Sequence, residues 1–403
     1  MQYRFADCLL DTSRHALLRG GEAVHVEPQV FALLVLLAEA GGDLVTRDAM
    51  VDAVWHGRIV SEATISARIS AARTAVGDDG QRQAVIRTVT RRGLQLAVPV
   101  TAEAADDVAP SARGGGQPNG HRQVVRLTTS ADGTGIAWAR SGHGPPLLRA
   151  GHWMSHLELD WQSPVWQPLL ERLGGHHTLV RYDPRGTGLS DRDCTDFGIE
   201  AQVADLGAVA DAAGLDRFAI YAVSQSVPYA LTFAARHPER VSAMVLHAGL
   251  VQGSAVRDRL RGDDEDMTAT FLSLIRSGWG KPDSAFMQAF STIFLPNGTR
   301  AQIDSFIEMQ TRSATPEVAV AIRRAIAEVD VTPLLPQVHC PVIVSHARGD
   351  AVQPFDQGQL VARSLPDARF LALETGTHII PPQDSTWDIM VSAAEAFLAE
   401  VGA

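Results

Sequence analysis

Three side chains of this sequence are suited to act together as a nucleophile, a base and an orienting acid. Ser224 follows the apolar run Phe218–Ala222 closely and precedes a helical pattern, so it stands at a turn between a strand and a helix. Asp350 follows a buried strand pattern that begins at Val342, and His378 lies in the loop after the last predicted strand. A histidine that takes the serine proton, and that a carboxylate holds in the required tautomer, makes the serine a nucleophile. The three residues predict acyl transfer through an acyl-enzyme that water resolves, which needs neither a metal ion nor an organic cofactor.

The turn at Ser224 departs from the pattern that such turns usually show. Crowding of backbone and side chains favours glycine two positions before and two positions after the serine. Ala222 and Ser226 stand at these positions, and both are small enough for the turn but add a side chain. We expect them to narrow the pocket or strain the turn, so the sequence leaves open whether the site turns over. Ser226 is the weaker candidate nucleophile because Pro228 would then occupy a small-residue position.

Alternating strand and helix patterns over residues 123–403 must position this triad. Such an alternation is typical of a mostly parallel sheet wrapped by helices. The turn at Ser224, the loop Arg181–Asp191 and the segment Ala347–Val352 resemble the corresponding parts of α/β-hydrolases. The resemblance covers essentially residues 123–400 and implies an α/β-hydrolase fold for this half of the chain.

The same resemblance implies an oxyanion hole that takes one N–H group from Trp153 and one from Gln225. Residues 251–335 interrupt the sheet pattern with helical periodicity and scattered phenylalanines, which predicts a helical cap over the active site. An aromatic, largely apolar pocket of this kind suits a small hydrophobic ester, lactone or ketone. His247 and His346 lie inside or at the end of predicted strands, so we expect structural roles for them.

The first hundred residues indicate a separate domain of a different class. Short strand patterns over residues 2–26 precede helix patterns at Pro28–Ala40, from Thr46 to near Trp55, and from Ser61 to Val76. A hairpin pattern with strands at residues 85–89 and 94–98 follows. The order predicts an α+β domain over residues 1–100. Residues 101–122 are rich in Ala, Gly, Pro and acids, which predicts a flexible linker.

Three segments of this domain, Val45–Trp55, Ile65–Arg73 and Ile86–Gly93, resemble the winged helix-turn-helix of OmpR/PhoB-type regulators. The resemblance departs at Leu94, where that family usually has an aromatic residue. It implies a recognition helix over residues 61–76 in the major groove of double-stranded DNA, with the hairpin as a wing. The implied DNA contacts are the outward helix positions Thr64, Ser66, Arg68 and Arg73, and the hairpin-tip residues Arg91 and Arg92. Arginines suit guanine edges and phosphates.

Charge and composition restrict the class of protein. The formal net charge of −11 argues against unspecific nucleic-acid binding by the whole surface, but residues 58–92 hold seven arginines against three acids, or +4. The apolar stretch Phe31–Ala38 is far shorter than the roughly 20 residues that cross a bilayer. Cys8, Cys194 and Cys340 are far apart, which fits reduced thiols. We therefore expect a soluble, cytoplasmic protein with no membrane partner.

Two functions fit the fusion of these halves. The first is a one-component transcription regulator whose hydrolase-type domain binds, or slowly hydrolyses, a small hydrophobic effector such as an ester or lactone. The second is an active serine esterase or lactonase with an accessory winged helix. A catalytically silent receptor lies between them. Because winged helices of this type usually bind repeated half-sites, we also expect a homodimer. The sequence specifies neither the effector, nor the operator, nor whether the regulator activates or represses.

Overall fold

The computed structural model describes residues 2–12, 16–24, 26–55, 62–89, 92–103, 123–262, 267–281 and 284–403. The chain divides into two compact units, of which the first takes in residues 2–103 and the second takes in residues 128–403. Within the ranges above, no helix combines the length and the apolar character that crossing a membrane requires.

The N-terminal unit contains three helices and two small sheets in the part of the chain that is described. Its strands are β1 (Gln2–Phe5), β2 (Cys8–Asp11), β3 (Ala16–Arg19), β4 (Glu22–Val24), β5 (Val45–Thr46), β6 (Ile86–Val89), β7 (Gly93–Leu96) and β8 (Thr101–Glu103). Its helices are α1 (Pro28–Glu39), α2 (Arg47–Trp55) and α3 (Glu62–Ala75). One antiparallel sheet has the order β4-β3-β2-β1-β8 and the other the order β5-β7-β6.

A single core joins these elements, with Leu34, Ile65 and Leu96 among the buried residues that α1, α3 and the hairpin contribute. Gly93 shows how tightly the hairpin is placed. Its φ is +148°, and a Cβ there would lie 1.9 Å from the carbonyl oxygen of Val45. The pairing of β7 with β5 therefore requires glycine at this position.

The predicted linker of residues 101–122 is wrong at its beginning. Thr101 and Glu103 bound strand β8, which pairs with β1 so that Arg4 lies opposite Thr101. Backbone hydrogen bonds to an edge strand need no apolar side chains, so the composition of this segment concealed the strand. Residues 104–122 lie outside the described part of the chain.

The C-terminal unit is built around an eight-stranded sheet. Its strands are β9 (Val124–Thr129), β10 (Gly135–Ser141), β11 (Pro146–Arg149), β12 (Thr178–Tyr182), β13 (Phe218–Val223), β14 (Val241–His247), β15 (Val342–Ala347) and β16 (Ala368–Leu373). The order is β16-β15-β14-β13-β11-β12-β10-β9. Strands β11 to β16 run parallel, whereas β10 is antiparallel to β12. The prediction of a mostly parallel sheet is confirmed.

Helices cover both faces of this sheet, which is why every residue of β12, β13 and β15 is buried. They are α4 (Leu157–Gln162), α5 (Gln167–His176), α6 (Ile199–Ala212), α7 (Ser226–Arg236), α13 (Phe355–Ser364) and α14 (Trp387–Glu400). Successive side chains of β13 alternate between two cores: Tyr221 packs with residues of α5 and α14, and Ala222 with residues of α6 and α7.

A helical insertion separates β14 from β15. It contains α8 (Ser254–Arg261), α9 (Met267–Gly278), α10 (Ala285–Phe294), α11 (Arg300–Ser313) and α12 (Pro316–Ala327), followed by a 3₁₀ helix at Thr332–Gln337. Its phenylalanines join the core on the α5 and α14 side of the sheet.

A buried ion pair in the C-terminal unit provides a test of these packing relations. Arg185 and Asp205 are 1% and 0% exposed, and two hydrogen bonds of 2.8 and 2.7 Å join them. Arg185→Met leaves a buried carboxylate without its cation, so we expect the free energy of unfolding to fall by about 3–5 kcal/mol in urea titrations. In the matched control Arg236→Met, the lost pair with Glu200 is solvent-exposed and is worth at most about 1 kcal/mol. Equal losses in the two variants would contradict the burial described.

Candidate functional site

Ser224 occupies a strained turn between β13 and α7. Its φ is +56°, in the left-handed region that residues with a side chain rarely adopt. Its N–H donates to the carbonyl oxygen of His247 at 2.9 Å, and its own carbonyl accepts from the N–H of Val227 at 3.1 Å. A sharp turn of this kind presents a serine side chain at the carboxyl edge of a parallel sheet.

The two small residues beside this turn fit without displacing it. Ala222 is fully buried below the sheet edge. The hydroxyl of Ser226 donates to the carbonyl oxygen of Val223 and accepts from the N–H of the same residue, both at 2.9 Å. The side chain of Ser226 thus bridges the two ends of the turn through the backbone of Val223. Because both of its hydrogen-bonding functions are used there, Ser224 is the better candidate nucleophile.

Asp350 and His378 meet at the same edge of the sheet. Asp350 follows β15 and His378 follows β16, and Nδ1 of the histidine donates to Oδ2 of the aspartate at 2.7 Å. Burial alone would raise the pKa of Asp350, but His378 and the N–H groups of Val352 and Gln353 outweigh it and hold that pKa below its usual value. An ionised Asp350 leaves Nε2 of the imidazole as the proton acceptor, which is the state that a general base requires.

His247, at the end of β14, lies between the nucleophile strand and the acid–base pair. Its carbonyl oxygen accepts from Ser224, its Nε2 donates to the carbonyl of His378 at 3.2 Å, and its Nδ1 accepts from Ser345 Oγ at 2.9 Å. Burial, with help from His378 and His346, lowers the pKa of His247 to about 3. The sequence indicated a structural role for this histidine. It did not indicate that His247 would contact both Ser224 and His378.

Of the two predicted oxyanion-hole residues, one is adjacent to Ser224 in the chain and the other follows the neighbouring strand. Gln225 follows the serine directly and is the residue before α7. Trp153 lies in the loop after β11, a strand hydrogen-bonded to β13, and the N–H of Ala150 donates to Tyr221 across this junction at 2.9 Å. The indole N–H of Trp153 donates to Gln310 Oε1 of α11 at 3.2 Å, which ties the loop to the insertion.

A cavity of about 130 Å³ opens next to these residues. Trp153, Phe271, Phe290, Ile293, Phe294, Arg323, Ala351 and Val352 line it. The ring of Phe294 stands edge-on to the imidazole of His378, with 5.4 Å between the centroids. Phe294, which lines the cavity, therefore stands between it and His378.

Four lining residues were not predicted from the sequence, namely Ile293, Arg323, Ala351 and Val352, and Arg323 is the charged one among them. On α12 it stands four positions after Ala319 and three before Ile326, both of which are buried. Helical periodicity would therefore have placed this arginine on the apolar face of the helix.

The proposed recognition helix α3 differs from expectation in the direction of two arginines. The expectation that Arg73 points outward is wrong: it is 9% exposed, with Nε donating to the carbonyl of Ile86 at 3.1 Å and Nη2 to Thr88 Oγ1 at 2.7 Å. Arg68 is also largely covered, because its guanidinium pairs with Glu27 at the start of α1. Both side chains hold α3 against neighbouring elements.

The exposed face of α3 runs through Ser66, Ser70 and Thr74, at i, i+4 and i+8. Thr64 is half-buried on the same helix, and sequence reasoning named Ser66 but missed the other two exposed positions. Arg87 on β6 and Arg92 in the hairpin are exposed, whereas Arg91 lies outside the described residues.

Buried neutral histidines make the stability of the C-terminal unit pH-dependent. Burial lowers the pKa of His247 to about 3 and that of His152 to about 4, from 6.5 in the unfolded chain. Below pH 6.5 the unfolded chain takes up protons that the folded chain does not, so stability falls as the pH falls towards these values. We expect each such histidine to contribute about 1.4 kcal/mol per pH unit to this slope.

The variant His247→Asn tests this through urea midpoints measured between pH 7.5 and 5. The free energy of unfolding of this variant should depend less steeply on pH than that of wild type, by the contribution of one histidine. This holds whatever the stability of the variant at neutral pH. Replacing the exposed His176 by asparagine is the control and should keep the wild-type slope. An unchanged slope in His247→Asn would mean that this histidine takes up its proton as readily in the folded chain as in the unfolded one.

Comparison with known proteins agrees with the division into two units. Residues 149–384 match the model of the α/β hydrolase fold family, and residues 21–96 match that of the C-terminal domain of transcriptional regulatory proteins. The protein named "Putative carbamate hydrolase RutD" of Azorhizobium caulinodans is 26% identical over 255 residues, which are 59% of this chain and 85% of that protein. The transcriptional activator CadC of Escherichia coli is 34% identical over 98 residues, 24% of this chain and 19% of CadC.

Solved structures share the fold of the C-terminal unit. The enol-lactonase from Burkholderia xenovorans superimposes with a TM-score of 0.54 at 20% identity, covering 68% of this chain and 100% of the lactonase. A bromoperoxidase from Bacillus anthracis gives a TM-score of 0.57 at 17% identity over 68% of this chain and 99% of its own. The chain belongs to the α/β hydrolase fold family and carries, ahead of that domain, the winged-helix DNA-binding domain of transcriptional regulators.

Proposed function

We propose that this protein is a one-component transcription regulator whose α/β-hydrolase domain is the receptor for a small ester or lactone. The observation that carries the proposal is the fusion itself: a DNA-binding domain of the regulator type precedes a domain with a cavity beside a Ser–Asp–His set. An ordinary hydrolase has no use for a recognition helix. Ligand occupancy would be read out as a change in the geometry or assembly of the DNA-binding domains.

The ligand site of this proposal is the cavity between the insertion and the triad. Trp153, Phe290 and Phe294 supply aromatic walls, and Val352 follows the catalytic acid by two residues. A small ligand with an apolar body gains free energy from burial against such walls. Its carbonyl oxygen would lie between the N–H groups of Trp153 and Gln225.

The DNA site of this proposal is the exposed face of α3 together with the hairpin. Ser66 and Ser70 would face the major groove, while Arg87 and Arg92 would contact phosphate. Two copies of the chain on repeated half-sites would form a homodimer in the cytoplasm. The covered Arg68 and Arg73 would act by stabilising the domain.

The Asp350–His378 hydrogen bond of 2.7 Å and the left-handed φ of Ser224 favour a second candidate function, that of an active serine hydrolase. In this mechanism His378 takes the proton of Ser224 as the hydroxyl oxygen attacks the ester carbon, and Asp350 holds the imidazole. The histidine then protonates the leaving alcohol. Water attacks the acyl-enzyme by the same route, and the acid product leaves.

Fluorescence anisotropy on the protein's own promoter DNA tests both functions, with wild type and Ser224→Ala across a panel of esters and acyl lactones. We expect one compound to shift the DNA affinity of both proteins. The shift should fade with time in wild type, where the ligand is hydrolysed, and persist in the alanine variant. A scrambled duplex is the control. If wild type binds neither duplex at any salt concentration, the regulator proposal fails and the enzyme with an accessory domain replaces it.

The variant Arg92→Ala tests the role of the wing in the same assay. Loss of one phosphate contact should weaken binding to all sequences alike and reduce the slope of log affinity against log salt by about 1. The exposed Arg276→Ala, on the insertion of the other unit, should leave the slope unchanged. A loss of affinity confined to one operator sequence would contradict a phosphate contact.

A further inference from the structure

The aromatic cavity beside the triad has one cationic wall. Arg323 lies on α12, and its guanidinium carbon stands 5.2 Å from the centre of the Phe271 ring. Burial, with help from Arg257, lowers the pKa of Arg323 to about 10. Even this lowered value leaves the side chain charged at neutral pH.

Arg323 is half-buried at the wall of the cavity. Among the residues that the structure describes, none pairs with it through a carboxylate, and its guanidinium stacks on the aromatic face of Phe271. Its neighbour Arg257, by contrast, donates Nη1 to the carbonyl oxygen of Gln252. A partly desolvated guanidinium on an otherwise apolar wall offers an anion a charged hydrogen-bonding partner.

Other residues that line the cavity are neighbours of the proposed triad. Ala351 and Val352 directly follow the catalytic acid, Phe294 contacts His378, and Trp153 is the proposed oxyanion donor. These residues share the cavity with Arg323, so one small molecule can contact the triad side and the guanidinium together.

We propose that the ligand of this domain is an anionic ester or lactone, with a carboxylate at the end remote from the reacting carbonyl. The planar guanidinium fork of Arg323 binds the carboxylate through two parallel hydrogen bonds, and the phenylalanines pack against the carbon chain between the two ends. The inference rests on the proposed ligand site and specifies its substrate class. It adds a charged end to a pocket whose remaining walls are apolar.

Binding of a matched pair of esters to Ser224→Ala, measured by calorimetry in the absence of DNA, tests the inference. Monomethyl succinate and methyl butyrate have the same ester and the same chain length, differ in the terminal carboxylate, and are small enough for a cavity of about 130 Å³. We expect the anionic ester to bind at least about tenfold more tightly than the neutral one, as a charge-assisted hydrogen bond to a partly desolvated guanidinium predicts. Adding Arg323→Gln should remove this preference, and Arg323→Lys should retain part of it.

The adjacent Arg324, which is exposed on the same helix, supplies the matched control. Arg324→Gln should keep the preference, and thermal unfolding of each variant shows whether it folds. Equal affinity for both esters in Ser224→Ala, or a preference that survives in Arg323→Gln, would overturn the anionic ligand while leaving the receptor proposal intact. Failure of both esters to bind would overturn the ligand site itself, and this inference with it.

Discussion

The left-handed backbone of Ser224 depends on the carboxyl edge of the parallel sheet that surrounds it. A residue with a side chain in this conformation costs about 1–2 kcal/mol relative to the usual regions. Two local contacts hold it: the N–H bond to the carbonyl of His247 on the adjacent strand, and the closed hydrogen-bonding loop of Ser226. Any change that loosens β13 against β14 would therefore misplace the nucleophile.

The same edge assembles the remaining reactive groups because parallel strands end there together. One strand separates the strand of Ser224 from that of Asp350, and His247 fills this gap. By contacting Ser224 on one side and the backbone of His378 on the other, His247 holds two residues of the proposed triad in place. Burial keeps His247 neutral, so it makes these contacts without adding a charge to the site.

The insertion between β14 and β15 supplies most of the residues that line the cavity. It supplies Phe271, Phe290 and Phe294 as walls and Arg323 as a charge, and the indole of Trp153 anchors the oxyanion loop to it. Binding energy from these remote groups can serve to orient a ligand, to accelerate its reaction or to signal its presence. A receptor and an enzyme with this site would differ in whether, and how fast, Ser224 attacks the bound ester.

Several features were predictable from local patterns. The alternation of strands and helices led to the parallel sheet, and the spacing of Ser224, Asp350 and His378 led to one shared edge. The boundaries of α1 and α2 were predicted to within a residue or so, because proline, glycine and threonine mark helix ends chemically. Strand β8 was missed since edge pairing depends on backbone groups that every residue carries.

Three arginines show how far residue type and spacing can predict this protein. Residue type and spacing determined the two fold classes and the set of reactive side chains, because they depend on local backbone preference and periodicity. The direction of Arg68, Arg73 and Arg323 depended on which neighbours the fold brought within reach. A long side chain extends several ångströms beyond its own helix, so its role is set by partners distant in sequence: Glu27 for Arg68, Ile86 for Arg73 and Phe271 for Arg323.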